Sequence, residues 1–381
     1  MTIAPYLVTT FVNGFISEKF VPYQWRVGLG MFAAMLPVVA APAIAALYGV
    51  QRRANRLGYG ASMKAKQMQE SLTQTVWKGF VAIDLPGLIL LGFSFSLILL
   101  PLSLAKSAHN GWRNPSMIAM EAIGFVILGI FIAYEVYLAP APIMSKRILV
   151  NKVFLAGLGA NLFNQMVGTL GSNYFSSYMY VIKDWDNYTW TVFTGIQFLA
   201  VTVFSLVGGV LQVKYHRYKT QMVIGAVCQV VGYAMCLTGK GQTTQSTVIL
   251  ALSQILMGMS ALTALGSRVG AMASVTHKDM ASIIAAYFLW TYLGSAAGYA
   301  IASAIWTANM PGFMRQELPG VSDEIVNRIY GSIEILRTDY EPGNPVREGA
   351  IRAYARTNGI IFITAAITTS EISTTLLQAQ V

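Results

Sequence analysis

The chain has 381 residues, 55% of them hydrophobic and 11% charged, with a mean hydropathy of +0.54; a soluble domain carries about 25% charged residues. The formal charge of +10 would suit nucleic acid. Its basic residues, however, fill gaps between long apolar runs, which excludes a nucleic-acid partner and a soluble fold and marks a polytopic membrane protein.

Residues 3–16, "IAPYLVTTFVNGFI", open the chain as an apolar run too short to span alone. No basic n-region or small-residue cleavage site precedes it, so it does not read as a cleavable leader. Eight runs are then long enough to cross a hydrocarbon core of about 30 Å: 25–49, 82–105, 116–138, 153–181, 190–213, 220–238, 247–275 and 280–307. A last run at 359–369, "GIIFITAAITT", begins like a span and meets "SEISTTLLQAQV", with Glu371 and several hydroxyls. Both ends read as cut or altered. Cys228 and Cys236 sit eight apart within one run, which excludes a disulfide between them.

Basic residues set the orientation. With 51–80 on the cytoplasmic side, that side receives thirteen lysines and arginines: six in 51–80, then Lys146, Arg147, Lys152, Lys214, Arg217, Lys219 and Lys278. The opposite loops hold six: Lys19, Arg26, Lys106, Arg113, Lys183 and Lys240. Residues 309–358 are then one long outer loop. Within it, "VSDEIVNRIYGSIEILR" (321–337) predicts a helix capped by Ser322, with Asp323 and Glu324 in its electropositive first turn. Val326, Ile329, Tyr330, Ile333 and Leu336 give that helix one apolar face, expected across the bundle mouth or along the membrane surface. A second helix is predicted to start at Asn344-Pro345.

Catalytic patterns are missing. His109, His216 and His277 lie apart, no paired Cys/His ligands occur, and no P-loop or dinucleotide fingerprint is present, so neither an enzyme nor a resident metal or cofactor is expected. The spans instead carry amides, hydroxyls and phenols. In "GANLFNQMVGTLGSNYFSSYMY", Asn161, Asn164, Gln165, Gly168, Ser172 and Ser176 fall near one helical stripe, with Asn173, Tyr174 and Tyr178 beside it. In lipid such groups must face other helices or water. A stripe this dense points to a wet cavity; interhelical hydrogen bonding is the alternative. Gln197, Gln229, Tyr233 and Gln254 are candidates for the same cavity, each against the same alternative. Arg268 stands about 10 Å inside its span at roughly 1.5 Å per residue, which suits snorkelling, a structural pair or a cargo contact. Gly294-Gly298-Ala302 and Gly266-Gly270 are small residues at the spacing that lets helices approach.

"SLVGG…VKYHRYK" resembles the degenerate second copy of the cytoplasmic motif of the major facilitator superfamily, through Gly209, Lys214, Arg217 and Lys219. "AIDLPGLILLG" looks like the first additional central helix of its fourteen-span transporters. "ASVTHKDMASIIAAYFLWTYLGSAAGYAIASAIWT" (273–307) and the pair "LPGVSDEIVNRIYGSI"/"GNPVREGAIRAYARTN" resemble fungal siderophore–iron transporters, with Thr276 where that family has proline. The resemblance implies an all-α polytopic fold, incomplete at its start. It would comprise a remnant of the first lobe (1–50), a cytoplasmic basic linker (51–80), two central helices (81–140) and a C-terminal lobe (141–381) that includes the outer loop 309–358.

It also implies alternating access and proton-coupled uptake of ferric siderophores at a plasma or endosomal membrane. Iron would arrive already chelated, in hydroxamate form, and no cofactor would be needed beyond the proton gradient. The lipid bilayer is the other partner, and nothing in the sequence sets an oligomeric state. Tyr330, Tyr340 and Tyr354 of the outer loop are candidates for a gate or first cargo contact, with packing on the helix ends as the alternative. A multidrug–proton antiporter of the same superfamily and a non-transporting remnant that binds a partner are the competing functions.

Overall fold

A computed structural model describes residues 6–20, 24–57, 72–105, 108, 111–140, 142–144, 150–239, 243–275 and 280–378. His109, the motif residues 276–279 and the basic residues Lys64, Lys66, Lys106, Lys146, Arg147 and Lys240 lie outside them. The described residues form helices and no strand. Helices α1 (Tyr6–Phe20), α2 (Trp25–Arg56), α3 (Leu72–Ala82), α4 (Leu85–Leu104) and α5 (Pro115–Tyr137) come first. Then follow α6 (Lys152–Ser172), α7 (Phe175–Ile182), α8 (Asn187–Thr194), α9 (Ile196–Tyr215), α10 (Tyr218–Thr238), α11 (Thr244–Gly258) and α12 (Ser260–Ala273). The chain ends with α13 (Met280–Glu317), α14 (Asp323–Gly331), α15 (Ile333–Thr338) and α16 (Pro345–Gln378). Eight helical stretches, within a few residues of the eight predicted runs at most boundaries, are long and apolar enough to cross a bilayer; α6–α7, α8–α9 and α11–α12 each make one. This is an all-α integral membrane protein.

Small residues decide who packs on whom. A Cβ at Gly294 would overlap the Leu162 carbonyl, and one at Gly298 would overlap the Met166 carbonyl and the Thr169 hydroxyl. The α13 backbone therefore lies directly on α6, and Ala302 below them is fully buried. Gly266 likewise faces the Tyr218 carbonyl, and Gly270 the Tyr218 ring, so α12 seats on α10. In lipid, such close approach is what drives helix association. Helices α4 and α5 form a hairpin around Gly124, which touches the backbone of Leu97 and Ile98. That hairpin leans on α13, where Phe95 meets Trp290 edge-on at 6.5 Å.

Four expectations need correction. Helix α13 runs to Glu317, well beyond 307, so the segment between the long helices shortens to 318–344. The run at 359–369 is not broken: α16 continues from Pro345 through Gln378. Thr364, Thr368 and Thr369 donate to carbonyls one turn back (to Ile360, Thr364 and Ala365) and Ser370 donates to Ile367, so these hydroxyls are satisfied inside the helix. The single helix predicted at 321–337 is two, because Ser332 is extended (φ −148°, ψ 116°). Ser322 precedes the first without a side-chain cap; only its carbonyl accepts, from the Val326 N–H at 3.1 Å. Asn344 and Pro345 do start α16, with Asn344 Oδ1 accepting from the Val346 N–H at 2.9 Å.

The α6–α13 contact gives a direct test. Gly298→Ala should destabilise the protein by about 1–3 kcal/mol, the usual cost of overpacking, and Gly168→Ala, whose Cβ would meet nothing within 4 Å, should not. Thermal unfolding of the two variants in detergent compares them; equal midpoints would mean the helices are not in this close contact.

Candidate functional site

A cavity of about 950 Å³ lies between α6, α9, α12 and α13. Asn161 and Gln165, one turn apart on α6, form one wall, and Thr291 of α13 stands beside them. Asn161 Nδ2 donates to Thr291 Oγ1 at 2.5 Å, so the amide is held at the cavity edge. Ser205, Gly209 and Lys214 line the α9 side, with Lys214 in the last turn of that helix. From α12 comes Arg268. Its guanidinium carbon lies 5.2 Å from the Tyr287 ring centre and 5.3 Å from that of Phe288, and its Nε is buried with no hydrogen-bond partner. No carboxylate among the described residues pairs with it. Two cations, two amides and two hydroxyls in an otherwise apolar wall can hold an anionic or oxygen-rich molecule.

Other predicted site residues lie elsewhere. The stripe on α6 is cut by the turn at Asn173–Tyr174, which re-aims everything after it. Asn173 ends α6, and Tyr174 stacks flat on Trp306 at 4.1 Å, outside the cavity lining. Asn164 is buried on the flank of α6, and Tyr178 is buried in the apolar core. Gln254 is a strut: its Nε2 donates to the Phe193 carbonyl at 3.1 Å, joining α11 to the end of α8. Tyr233 does the same for α10 and α6, donating to the Val167 carbonyl at 3.0 Å. Gln229 is buried, and Gln197 sits partly buried in the first turn of α9; neither lines the cavity. For Gln254 and Tyr233 interhelical bonding describes the placement, as expected where lipid offers no competing partner. Thr291 and Ser205 carried no local signal, since single hydroxyls in spans usually bond their own helix, as Thr291 also does to the Tyr287 carbonyl.

A siderophore transporter of Zymoseptoria tritici is 49% identical over 374 residues, covering 95% of this chain and 57% of the relative. Over nearly its whole length this chain is similar to a fungal protein named a siderophore transporter. A low-affinity heme transporter of Schizosaccharomyces pombe is 37% identical, covering 95% of this chain and 58% of that protein. A siderophore transporter of Mycosarcoma maydis is 35% identical, covering 96% and 58%. The chain thus spans less than two thirds of the length of these relatives. No protein-family model matches it.

In this chain, segment 318–344 is fastened over one end of the helices. Val326, Ile329 and Leu336 are buried in the main apolar cluster with Tyr178, Trp306 and Phe362. Asp184, in the turn after α7, receives two arginines: Arg347 Nη2 at 3.0 Å and Arg337 Nε at 3.5 Å. Arg347 is only 1% exposed, and its other donors reach the carbonyls of Val181 and Tyr340. Arg337 also donates to the Trp185 carbonyl and lies 4.4 Å over the Tyr180 ring. This clasp went unseen in the sequence because its members are more than 150 positions apart.

Among the gate candidates, Tyr354 is a correction: it is 1% exposed and packs edge-on against Trp306 at 5.1 Å, so it presents no surface to cargo. Tyr330 and Tyr340 are partly buried against the same cluster. Burial and the neighbouring Tyr174 push the Tyr330 phenol above its ordinary range, so it stays neutral at any physiological pH.

Asp184→Asn should loosen the clasp. Because Asp184 is half exposed, the expected loss is about 1–2 kcal/mol, below the 3–5 typical when a fully buried pair is broken. Limited proteolysis reads it as faster cleavage within 318–344, and an unchanged cleavage rate would show that the two arginines do not depend on Asp184.

Proposed function

We propose that this polypeptide works in secondary active transport, carrying ferric siderophores into the cell in exchange for dissipation of a proton gradient. The observation that carries the reading is the cavity, where Arg268 sits with an unpaired buried Nε beside Asn161, Gln165 and Thr291. A siderophore encloses iron with its own oxygens, so its carrier recognises the organic surface and needs no ligands for the metal. Amide and guanidinium donors match the carbonyl and carboxylate oxygens on that surface, and the apolar wall of α9 suits its backbone. A hydroxamate complex, with many carbonyl oxygens and little net charge, fits the amide side. Two relatives bear the name siderophore transporter, which supports the same cargo class. The membrane is the plasma membrane or an endosomal one, and no covalent chemistry is assigned to the chain.

One observation favours a second cargo. The relative named a low-affinity heme transporter is as fully aligned as the others, and heme also presents carboxylates to a cationic cavity. Binding at the described cavity would then depend on Arg268 for both.

Expression of the 381-residue chain in yeast lacking siderophore uptake tests the reading, with radio-iron ferrichrome as probe and hemin as competitor. The expected outcome is iron accumulation that is abolished by an uncoupler and reduced at least tenfold by Arg268→Gln, about the 1.4 kcal/mol of one charge-assisted hydrogen bond. Accumulation equal to that of the empty host would sink the proposal.

A further inference from the structure

The hairpin of α4 and α5 holds a second polar centre, whose residues are not among those lining the cavity. Asp84 precedes α4 with φ 48° and ψ 52°, a left-handed backbone that few non-glycine residues adopt and that is often kept for function. It is 2% exposed. Its Oδ1 accepts from the Tyr134 hydroxyl at 2.9 Å and from the Gly87 N–H at 3.4 Å. Gly87 is glycine for a reason: any Cβ there would overlap Asp84 Oδ2. On α5, Glu135 Oε1 accepts from the Met144 N–H at 3.0 Å. That leaves two buried oxygens without a partner, Asp84 Oδ2 and Glu135 Oε2. The two carboxyl groups are neighbours, joined through Tyr134, which donates to Asp84 and precedes Glu135 on α5.

Two ionised carboxylates cannot hydrogen-bond, and side by side in a dry site they repel. One proton between them satisfies every remaining oxygen. Asp84 Oδ1 already takes two donors, from Tyr134 and Gly87, at a helix N-terminus, which leaves the shared proton to be carried by Glu135. The geometry points to a proton-binding site in this hairpin, with Glu135 Oε2–H donating to Asp84 Oδ2. Among the described residues around it, α5 supplies Tyr134 as the other titratable group. The charged residue of α3, Lys78, is exposed, and α4 has no charged residue. The neighbouring wall contributes Ile143, Met144, Leu289 and Trp290, none of them ionisable.

The site is also linked to the cavity. Met144, whose N–H holds Glu135, takes a hydrogen bond on its sulfur from Trp290 Nε1 at 3.3 Å. Trp290 is followed on α13 by Thr291, which binds Asn161. Release of the proton breaks the Glu135 O–H bond, sends the proton to water and leaves two adjacent anions. Their repulsion acts on the joint between the hairpin and α13. Resting on the transport reading above, this places the proton that drives uptake at the Asp84–Glu135 pair.

The purified 381-residue chain in lipid nanodiscs tests the site without any cargo. Infrared spectra at neutral pH should show the carbonyl band of a protonated carboxyl that shifts in heavy water. The band should vanish in Glu135→Gln, whose amide keeps the donor to Asp84, and move in Tyr134→Phe, which removes one donor to the same acceptor. A wild-type spectrum without the band overturns the site, as does its survival in Glu135→Gln; the wild-type arm decides even if a variant does not fold. In yeast, Glu135→Gln should still bind ferrichrome within about twofold of wild type, well under the factor of ten that 1.4 kcal/mol represents, and should lose its uncoupler-sensitive accumulation. Wild-type accumulation by that variant overturns the coupling role. A chain that keeps the band and accumulates no ferrichrome overturns the transport reading and leaves the proton site standing.

Discussion

Two apolar helices in lipid gain nothing by hiding from their surroundings, so contact between them rests on how closely their backbones can approach. Here that closeness is set where Gly294 and Gly298 of α13 lie on the carbonyls of Leu162 and Met166. Thr169 adds a hydrogen bond to the Ser295 carbonyl at 3.2 Å, across the same seam. With side chains absent at the contact, little room exists for sliding, and α6 and α13 behave as one wall. Everything polar on either helix is positioned by that seam. Asn161 reaches Thr291 because of it, and Tyr174 reaches Trp306.

The same shortage of water explains how the polar side chains divide. A buried amide or phenol has to find a protein partner or a hydrated space. Gln254 and Tyr233 find carbonyls on neighbouring helices and become struts. Asn161, Gln165 and Arg268 share a space instead, and the guanidinium keeps one donor unspent. Sequence spacing showed that the stripe on 153–182 must face inward. It could not separate struts from lining, because that division depends on the turn at Asn173–Tyr174 and on which carbonyls the adjacent helices bring. Both are products of packing, not of periodicity.

What was legible follows a simple physical division. Span positions depend on local hydrophobicity, and eight of them were readable to within a few residues at most ends. Glycine spacing disclosed the helix contacts, since a missing Cβ has one plain use in a dense bundle. The extent of α13 and the continuity of α16 were not readable, because amphipathic turns beyond the lipid and hydroxyls that bond their own helix both look like interruptions in a hydropathy pattern. Long-range charge pairs were the least visible. Nothing local tied Asp84 to Glu135, or Asp184 to Arg347.

The position of α13 between two polar centres gives the arrangement its mechanical sense. Adjacent residues on a helix point about 100° apart, so Trp290 turns to the hairpin while Thr291 turns to the cavity. A helix is stiff over one turn, and this one is fixed to α6 by the glycine seam just beyond both residues. A push on Trp290 cannot be absorbed by α13 sliding along α6 and has to be taken up as rotation or tilt of the pair. Rotation of that pair moves Asn161 and Gln165 together with Thr291, which changes the cavity wall opposite Arg268 as a unit. The hairpin is therefore joined to the cavity wall by a stiff path, and the residues that make the path stiff are the ones without side chains.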